Sequence, residues 1–366
     1  MSDNLKRRSI PVLNAVIPLA FAFALGAIFT MIAGYNPLTV YGLILKTAFT
    51  SGGGWMQTLG FACPIILTGI ATAFAFQSGL WNIGVEGQLY FGAFAAALVG
   101  AGYFGLDCIP VGLQMPLSVL AGILAGMLYA AIPALLKAYL NANVVVTTIM
   151  LNYIAIELTE FLTKAFFQGD QSYDSTYAIQ ETAEIPKIMS RYRVSYAIFL
   201  AVAIVLVVWF VSRRTSFGYE ISAIGRQLEF SEAVGMRVRK KIVLIFLISG
   251  AIAGVAGATE VLGVYKNFMP NFSTNPGLGW QGYYVAVLAH NNPLAVLLIA
   301  IIFGGFRYGS IAVQSKLGVP LDLLNIIQGA LILFYSIKYF HENKEKIQKH
   351  LKKANPAKKE EQQNGG

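Results

Sequence analysis

Apolar runs of roughly 20 residues recur along this chain, separated by short breaks rich in Gly, Pro, Asn and charge. A helix needs about 20 apolar residues to cross a bilayer. The runs predict spans at Ile10–Ala33, Thr58–Phe76, Gln88–Gly105, Pro116–Leu136, Val144–Lys164, Val194–Ser212, Ile242–Gly263, Gly277–His290, Pro293–Phe306 and Leu321–Phe340. The eighth and ninth are short and are split by HNNP (His290–Pro293). That split reads either as a tight turn between two elements or as the break within one. Leu38–Leu45 reads as a short helix before the flexible Ser51–Gly54. The start MSDNLKRRSI is basic, but no small-residue cleavage site follows, so the first run reads as a retained span.

The pattern predicts an all-α membrane protein of about ten helices. Composition agrees: 56% of the 366 residues are hydrophobic and 12% charged, against about 25% charged in a soluble domain. Mean hydropathy is +0.61. The net charge of +9 does not mark a nucleic-acid binder, because the basic residues cluster at the ends of runs. With the N-terminus inside, Lys6, Arg7, Arg8, Lys137, the Arg213–Lys241 loop and the tail from Lys338 onward hold 19 of the 27 Lys and Arg residues on one side. That is the positive-inside asymmetry, and it predicts both termini in the cytoplasm. The division is then a membrane domain over 1–340 and a basic tail over 341–366, rich in Lys, Glu and Gln and read as disordered. Residues 168–193 form the one long polar loop on the outer side, either a landing surface for something soluble or a solvated connector.

The halves resemble each other. Lys137–Tyr153 lies over Gln314–Ala330, matching Asn152 with Gln328, and VEGQLYFGA around Gln88 lies over GWQGYYVAV around Gln281. A repeat of five spans is odd, so its copies run in opposite directions, an arrangement typical of transporters. Gly122 with Gly126, and Gly250 with Gly254, have the small-xxx-small spacing that lets helices approach closely.

Catalytic and metal chemistry find no support. GxxxxGK[ST] and GxSxG are absent, and His290, His341 and His350 are scattered. Cys63 and Cys108 fit no metal spacing. Between Lys46 and Asp107 the only charged side chain is Glu86, in GLWNIGVEGQL, where Gly79, Gly84 and Gly87 break the helix. Glu86 reads either as an acid at the N-terminus of the third helix or, with Asn82 and Gln88, as part of a gate. The amides of Asn152, Gln281 and Gln328 suit hydroxyl or base-edge contacts. Trp280 and Tyr283 read as ring-stacking groups or as interface aromatics.

The loop RRTSFGYEISAIGRQLEFSEAVGMRVRKK (Arg213–Lys241) predicts two short cytoplasmic helices, ISAIGRQ and FSEAVGM, with charges of alternating sign suited to docking. GLWNIGVEGQL together with TSFGYEISAIGRQLEFSEAVGM resembles the permease subunits of bacterial ABC importers. The branch is that of sugars, branched-chain amino acids and nucleosides, and within it the permeases served by basic-membrane-protein-type lipoproteins. The resemblance implies coupling to an ATPase through Gly218, Ser222, Ala223, Gly225, Arg226, Glu232, Ala233 and Gly235, with Ser222 standing where the family often has Arg. It further implies ATP and Mg bound by separate ATPase subunits, a second permease subunit, identical or different, and an external binding lipoprotein. It places the chain in the prokaryotic cytoplasmic membrane. The substrate it implies is a nucleoside or simple sugar. The alternatives are a branched-chain amino acid permease, an ion-coupled secondary transporter, for which Glu157, Glu160 and Glu260 lie too near span ends, and a lipid-modifying enzyme, for which no His/Asp/Glu set exists.

Overall fold

The computed structural model describes residues 23–108, 110, 112–169, 174–273, 277–323, 325–326 and 329–330. Among these, every regular element is helical: α1 (Phe23–Ile32), α2 (Pro37–Phe49), α3 (Gly52–Phe76), α4 (Val85–Gly100), α5 (Gln114–Leu140), α6 (Val144–Phe166), α7 (Ala197–Arg214), α8 (Ser216–Arg226), α9 (Leu228–Ala233), α10 (Val238–Glu260), α11 (Leu278–Leu288) and α12 (Pro293–Leu317). Six are long and apolar enough to span a membrane, or seven if the bent pair α1–α2, turned by 119°, counts as one. The chain is a multi-pass membrane protein. Most of the first predicted span, most of the last and the tail 341–366 lie outside the described residues.

Two compact units divide the chain. In the smaller, Tyr35 Oη donates to the Gly318 carbonyl at 3.2 Å. The larger, Leu43–Ala312, contains nearly all of the predicted site. At its centre α3 is buried on all sides from Ala62 to Phe76. Its N-cap Ser51 accepts the Gly54 N–H at 3.0 Å, and Thr68 and Thr72 return their hydroxyls to carbonyls of the same helix, so no polar group is stranded. By contrast α5, α6 and α7 turn Leu117, Leu124, Leu128, Met150, Phe161, Phe199 and Phe210 outward. Such a belt is costly in water and costs nothing in lipid.

The predicted glycine pairs meet one another. A Cβ on Gly254 would strike the Gly122 carbonyl, one on Gly126 the Gly250 carbonyl, and one on Gly92 the Cα of Gly254. With no side chains between them, α4, α5 and α10 approach backbone to backbone, where lipid offers no hydrophobic drive.

Several boundaries differ from expectation. The ninth element runs to Leu317 rather than Phe306. Gly304 and Gly309 seat it against Thr58 and Ala62 of α3 and against Ile44 of α2. HNNP is a turn, with His290 and Asn291 at φ 49° and 58°. The third element starts at Val85 and ends at Gly100, and Gly87 lies inside it, against Tyr129, Asn152 and Ala155, instead of breaking it. The Arg213–Lys241 loop folds as α8 and α9, earlier by several residues than the predicted pair, broken at the extended Gln227. The short helix expected at Leu38–Leu45 is the longer α2.

Candidate functional site

The site is built where two short helices meet head to head. α3 begins beside Tyr192 and Arg193 and ends at Gln77–Gly79, against Gly225 of α8. Residues 77–84 turn back, and α4 then runs toward the opposite end, where the Gly100 carbonyl accepts the Gln180 N–H at 2.8 Å. α10 reaches that same end. Residues 266–273 follow the π-turn there, and α11 runs from Leu278 toward the α8 end, where Gln77 Nε2 donates to the Asn291 carbonyl at 2.9 Å. Thr68 Oγ1 donates to the Leu278 carbonyl at 2.9 Å. Thr68 lies eight residues before the end of α3, so α11 starts about 12 Å inside that end at 1.5 Å rise per residue. α4 and α11 are therefore antiparallel half-helices whose N-termini face each other within the bundle.

Glu86 fills the junction. It is 3% exposed. Ser273 donates its hydroxyl to one carboxylate oxygen and the Gly279 N–H donates to the other, each at 2.5 Å. The Trp280 N–H donates as well. Ser273 in turn accepts the Leu278 N–H at 2.8 Å. Glu86 thus sits in the first turn of α4 and caps the free N–H groups of α11, where two positive helix ends favour an anion. Arg307 of α12 adds a favourable charge. Glu86 stands in the first turn of α4 as one of the two readings expected, but the helix end it satisfies is that of α11, 193 residues away. Gly277 and Gly279 are required here: a Cβ on Gly279 would lie 2.5 Å from the Glu86 nitrogen. In the repeat alignment on Gln88 and Gln281, Glu86 falls opposite Gly279.

The turn before α4 is held by amides. Asn82 Nδ2 donates to Ser249 Oγ at 3.0 Å, and Ser249 donates to the Ala71 carbonyl at 2.9 Å. Asn82 Oδ1 accepts the Gly84 N–H at 3.0 Å, and the side chains of Asn82 and Gln88 pair at 3.4 Å. Asn152 Nδ2 donates to the Ile83 carbonyl at 2.9 Å while its Oδ1 accepts the Gly87 N–H at 2.8 Å. The structure brings Asn82, Glu86, Gln88 and Asn152 together around one turn, where their polar atoms hold backbone. Gln281 is buried in the first turns of α11. Trp280, Tyr283, Phe76 and Trp81 form a row with ring centroids 6.2, 5.9 and 4.9 Å apart, ending at the exposed Trp81. Gln328 lies outside the described residues.

The coupling residues meet this assembly at Gly225, whose Cα lies against Gly79, in the turn that leads into α4. Lys241 pairs with Glu220 and sits 5.1 Å from the Phe217 ring, anchoring α8 to the start of α10. Gly218 packs against the end of α7, while Arg226, Glu232, Ala233 and Gly235 are exposed.

The model of the family described as "Branched-chain amino acid transport system / permease component" matches residues 54–336. The chain belongs to this family of ABC transporter permeases. It is 33% identical over 338 residues to the guanosine ABC transporter permease protein NupP of Bacillus subtilis, covering 91% of this permease and 95% of the relative. It is 29% identical to the nucleoside ABC transporter permease protein NupB of Lactococcus lactis, over 90% and 92% of the two chains. It is 30% identical to the glucose ABC transporter permease protein TsgB13 of Haloferax volcanii, over 90% and 89%. No solved structure gives a significant match.

Sequence reasoning did not single out Ser273, Gly277 and Gly279, and it named Glu260 only as an acid near a span end, without its burial or its partner. Glu260, 2% exposed, pairs with Arg193 at 2.5 Å. It is the last residue of α10, near the end of the span as expected, and a π-turn over Val261–Tyr265 carries the chain on from it. Burial works against the Arg193 charge, but Glu260 and Tyr265 outweigh it and hold the guanidinium above its ordinary value. The alignment of Glu86 with Gly279 was the available signal for the first set. No local signal marks the second.

Proposed function

We propose that this permease forms the translocation path of an ATP-driven importer for nucleosides or simple sugars, with α8–α9 in the cytoplasm and residues 174–196 outside. The observation that carries the proposal is the Gly225–Gly79 contact in a member of this family. An ATPase gripping α8 and α9 would push directly on the turn that positions both half-helices. Asn82, Glu86, Gln88, Asn152, Gln281 and Gln328 belong to the gate or its support, with Trp280 and Tyr283 on the partly exposed face. Glu86 is spent on α11, so the remaining groups are amides and rings. They suit a neutral, hydroxyl-bearing substrate, in line with the nucleoside and glucose permeases among the relatives. The chain supplies no nucleotide site of its own; ATP and Mg belong to the partner ATPase. A second permease subunit, identical or different, and an external binding lipoprotein complete the assembly.

Two measurements test this. Uptake of labelled guanosine by cells expressing the whole complex is expected to be suppressed by unlabelled nucleosides and less by glucose. Suppression by branched-chain amino acids alone would overturn the substrate class and leave the permease in place. For orientation, single cysteines at the exposed Met189 and Tyr219 are treated with an impermeant thiol reagent on intact cells. Met189 is expected to react and Tyr219 to be protected. The reverse pattern inverts the topology.

A further inference from the structure

Residues 174–196, between α6 and α7, are not a loose connector. They form a strap along the π-turn and the re-entrant segment that follows it. The Ile185 N–H donates to the Leu262 carbonyl at 2.9 Å, Ile179 to Lys266 at 2.7 Å and Thr176 to Phe268 at 3.0 Å. The Phe268 N–H returns a bond to Thr176 Oγ1 at 3.0 Å, and Lys266 pairs with Glu184 at 2.6 Å. At the far end of the strap the Arg193–Glu260 pair is enclosed by the rings of Phe61 and Tyr265, 4.5 and 5.3 Å from the guanidinium carbon. The Arg193 N–H is held by Gln57 Oε1 at 3.2 Å. The segment so gripped, 260–268, leads within a few residues to Ser273, which holds Glu86 and the first N–H of α11.

We propose that the strap and the re-entrant segment move as one lever. A soluble partner landing on the strap's exposed outer face displaces the N-terminus of α11 through it, and Arg193 and Glu260 are its positioning residues. The physical reason is the number and depth of the links. Separating strap from π-turn would break several backbone bonds at once and leave a charge buried without its partner, which is strongly unfavourable. A π-turn is also a frequent place for a functional irregularity in a helix. The partner's identity as a receptor rests on the proposed function, whereas the mechanical linkage does not.

Hydrogen exchange of the purified chain tests the linkage without ligand or ATPase. Arg193→Met, with the double variant Arg193→Met/Glu260→Leu to guard against a misfolded single, is expected to speed exchange at the Leu278–Trp280 amides by about tenfold. Acceleration confined to residues 187–196 and 57–61 would overturn the lever. A second arm uses a lock. A Cβ on Gly263 would stand 3.6 Å from that of Ser195, within disulfide reach of roughly 3.5–4.5 Å. In a Cys63→Ala/Cys108→Ser background, Ser195→Cys/Gly263→Cys is expected to support equal guanosine uptake oxidised and reduced. Uptake lost on oxidation and restored by reductant would show that strap and turn must separate, and would overturn the proposal. If the unmodified complex takes up no guanosine, the substrate reading fails and the exchange result still decides the lever.

Discussion

Gly225→Trp is expected to abolish transport while the protein still inserts and assembles in the membrane. Any Cβ at this position strikes the Gln77 carbonyl and comes within 2.9 Å of the Ser78 carbonyl carbon and 3.1 Å of the Gly79 nitrogen. These are backbone atoms and cannot swing aside. Gly79 has φ 72° and must keep it for the turn into α4, and Gln77 holds the far end of α11 through Asn291. An indole here pries α8 from the turn on which both half-helices depend. Because α8 lies at the end of the bundle, the core of α3, α4, α5 and α10 is left alone. Uptake is expected to fall by about tenfold or more, equivalent to a barrier change of at least roughly 1.4 kcal/mol, with Gly225→Ala intermediate. The check is uptake per assembled complex, with membrane insertion quantified alongside. Normal uptake in a normally assembled Gly225→Trp complex would remove α8 from the coupling route.

Replacement of Glu86 acts on stability first. Glu86→Leu leaves the Ser273 hydroxyl and the Gly279 and Trp280 N–H groups without their buried acceptor. Each such loss costs about 1–3 kcal/mol, and removing the anion from two helix N-termini forfeits roughly another 0.3–1 kcal/mol or more. The expected result is a large fall in the thermal midpoint in detergent, or loss of folded protein. Glu86→Gln keeps one acceptor oxygen and loses the charge, so it is expected to fold at an intermediate midpoint and to transport poorly. A Glu86→Leu protein as stable as the parent would mean that the carboxylate does not hold the half-helices together.

Much of this architecture is legible in the chain itself. Membrane class, most span positions, an interruption at His290–Pro293, the paired short helices around Gly225 and the close-packing role of Gly122, Gly126, Gly250 and Gly254 follow from local runs and spacings. Hydropathy and glycine spacing report on a helix's immediate surroundings, so one segment at a time suffices. Gln88 and Gln281, which the weak repeat aligned, fall on the two short helices α4 and α11.

Only the tertiary structure decided the rest. Glu86 finds its partners 187 and 193 residues away, and Arg193 finds Glu260 67 residues away. No local pattern encodes such pairings, because they arise only when helices far apart in the chain pack and bring their ends together. The fold also carries α12 past the predicted end at Phe306 to Leu317, with Gly304, Gly305 and Gly309 as contact surfaces against the neighbouring helices. A sequence shows that a buried acid must be paid for; the partner that compensates it is chosen by the fold, because low-dielectric surroundings make an unpaired charge too costly to keep.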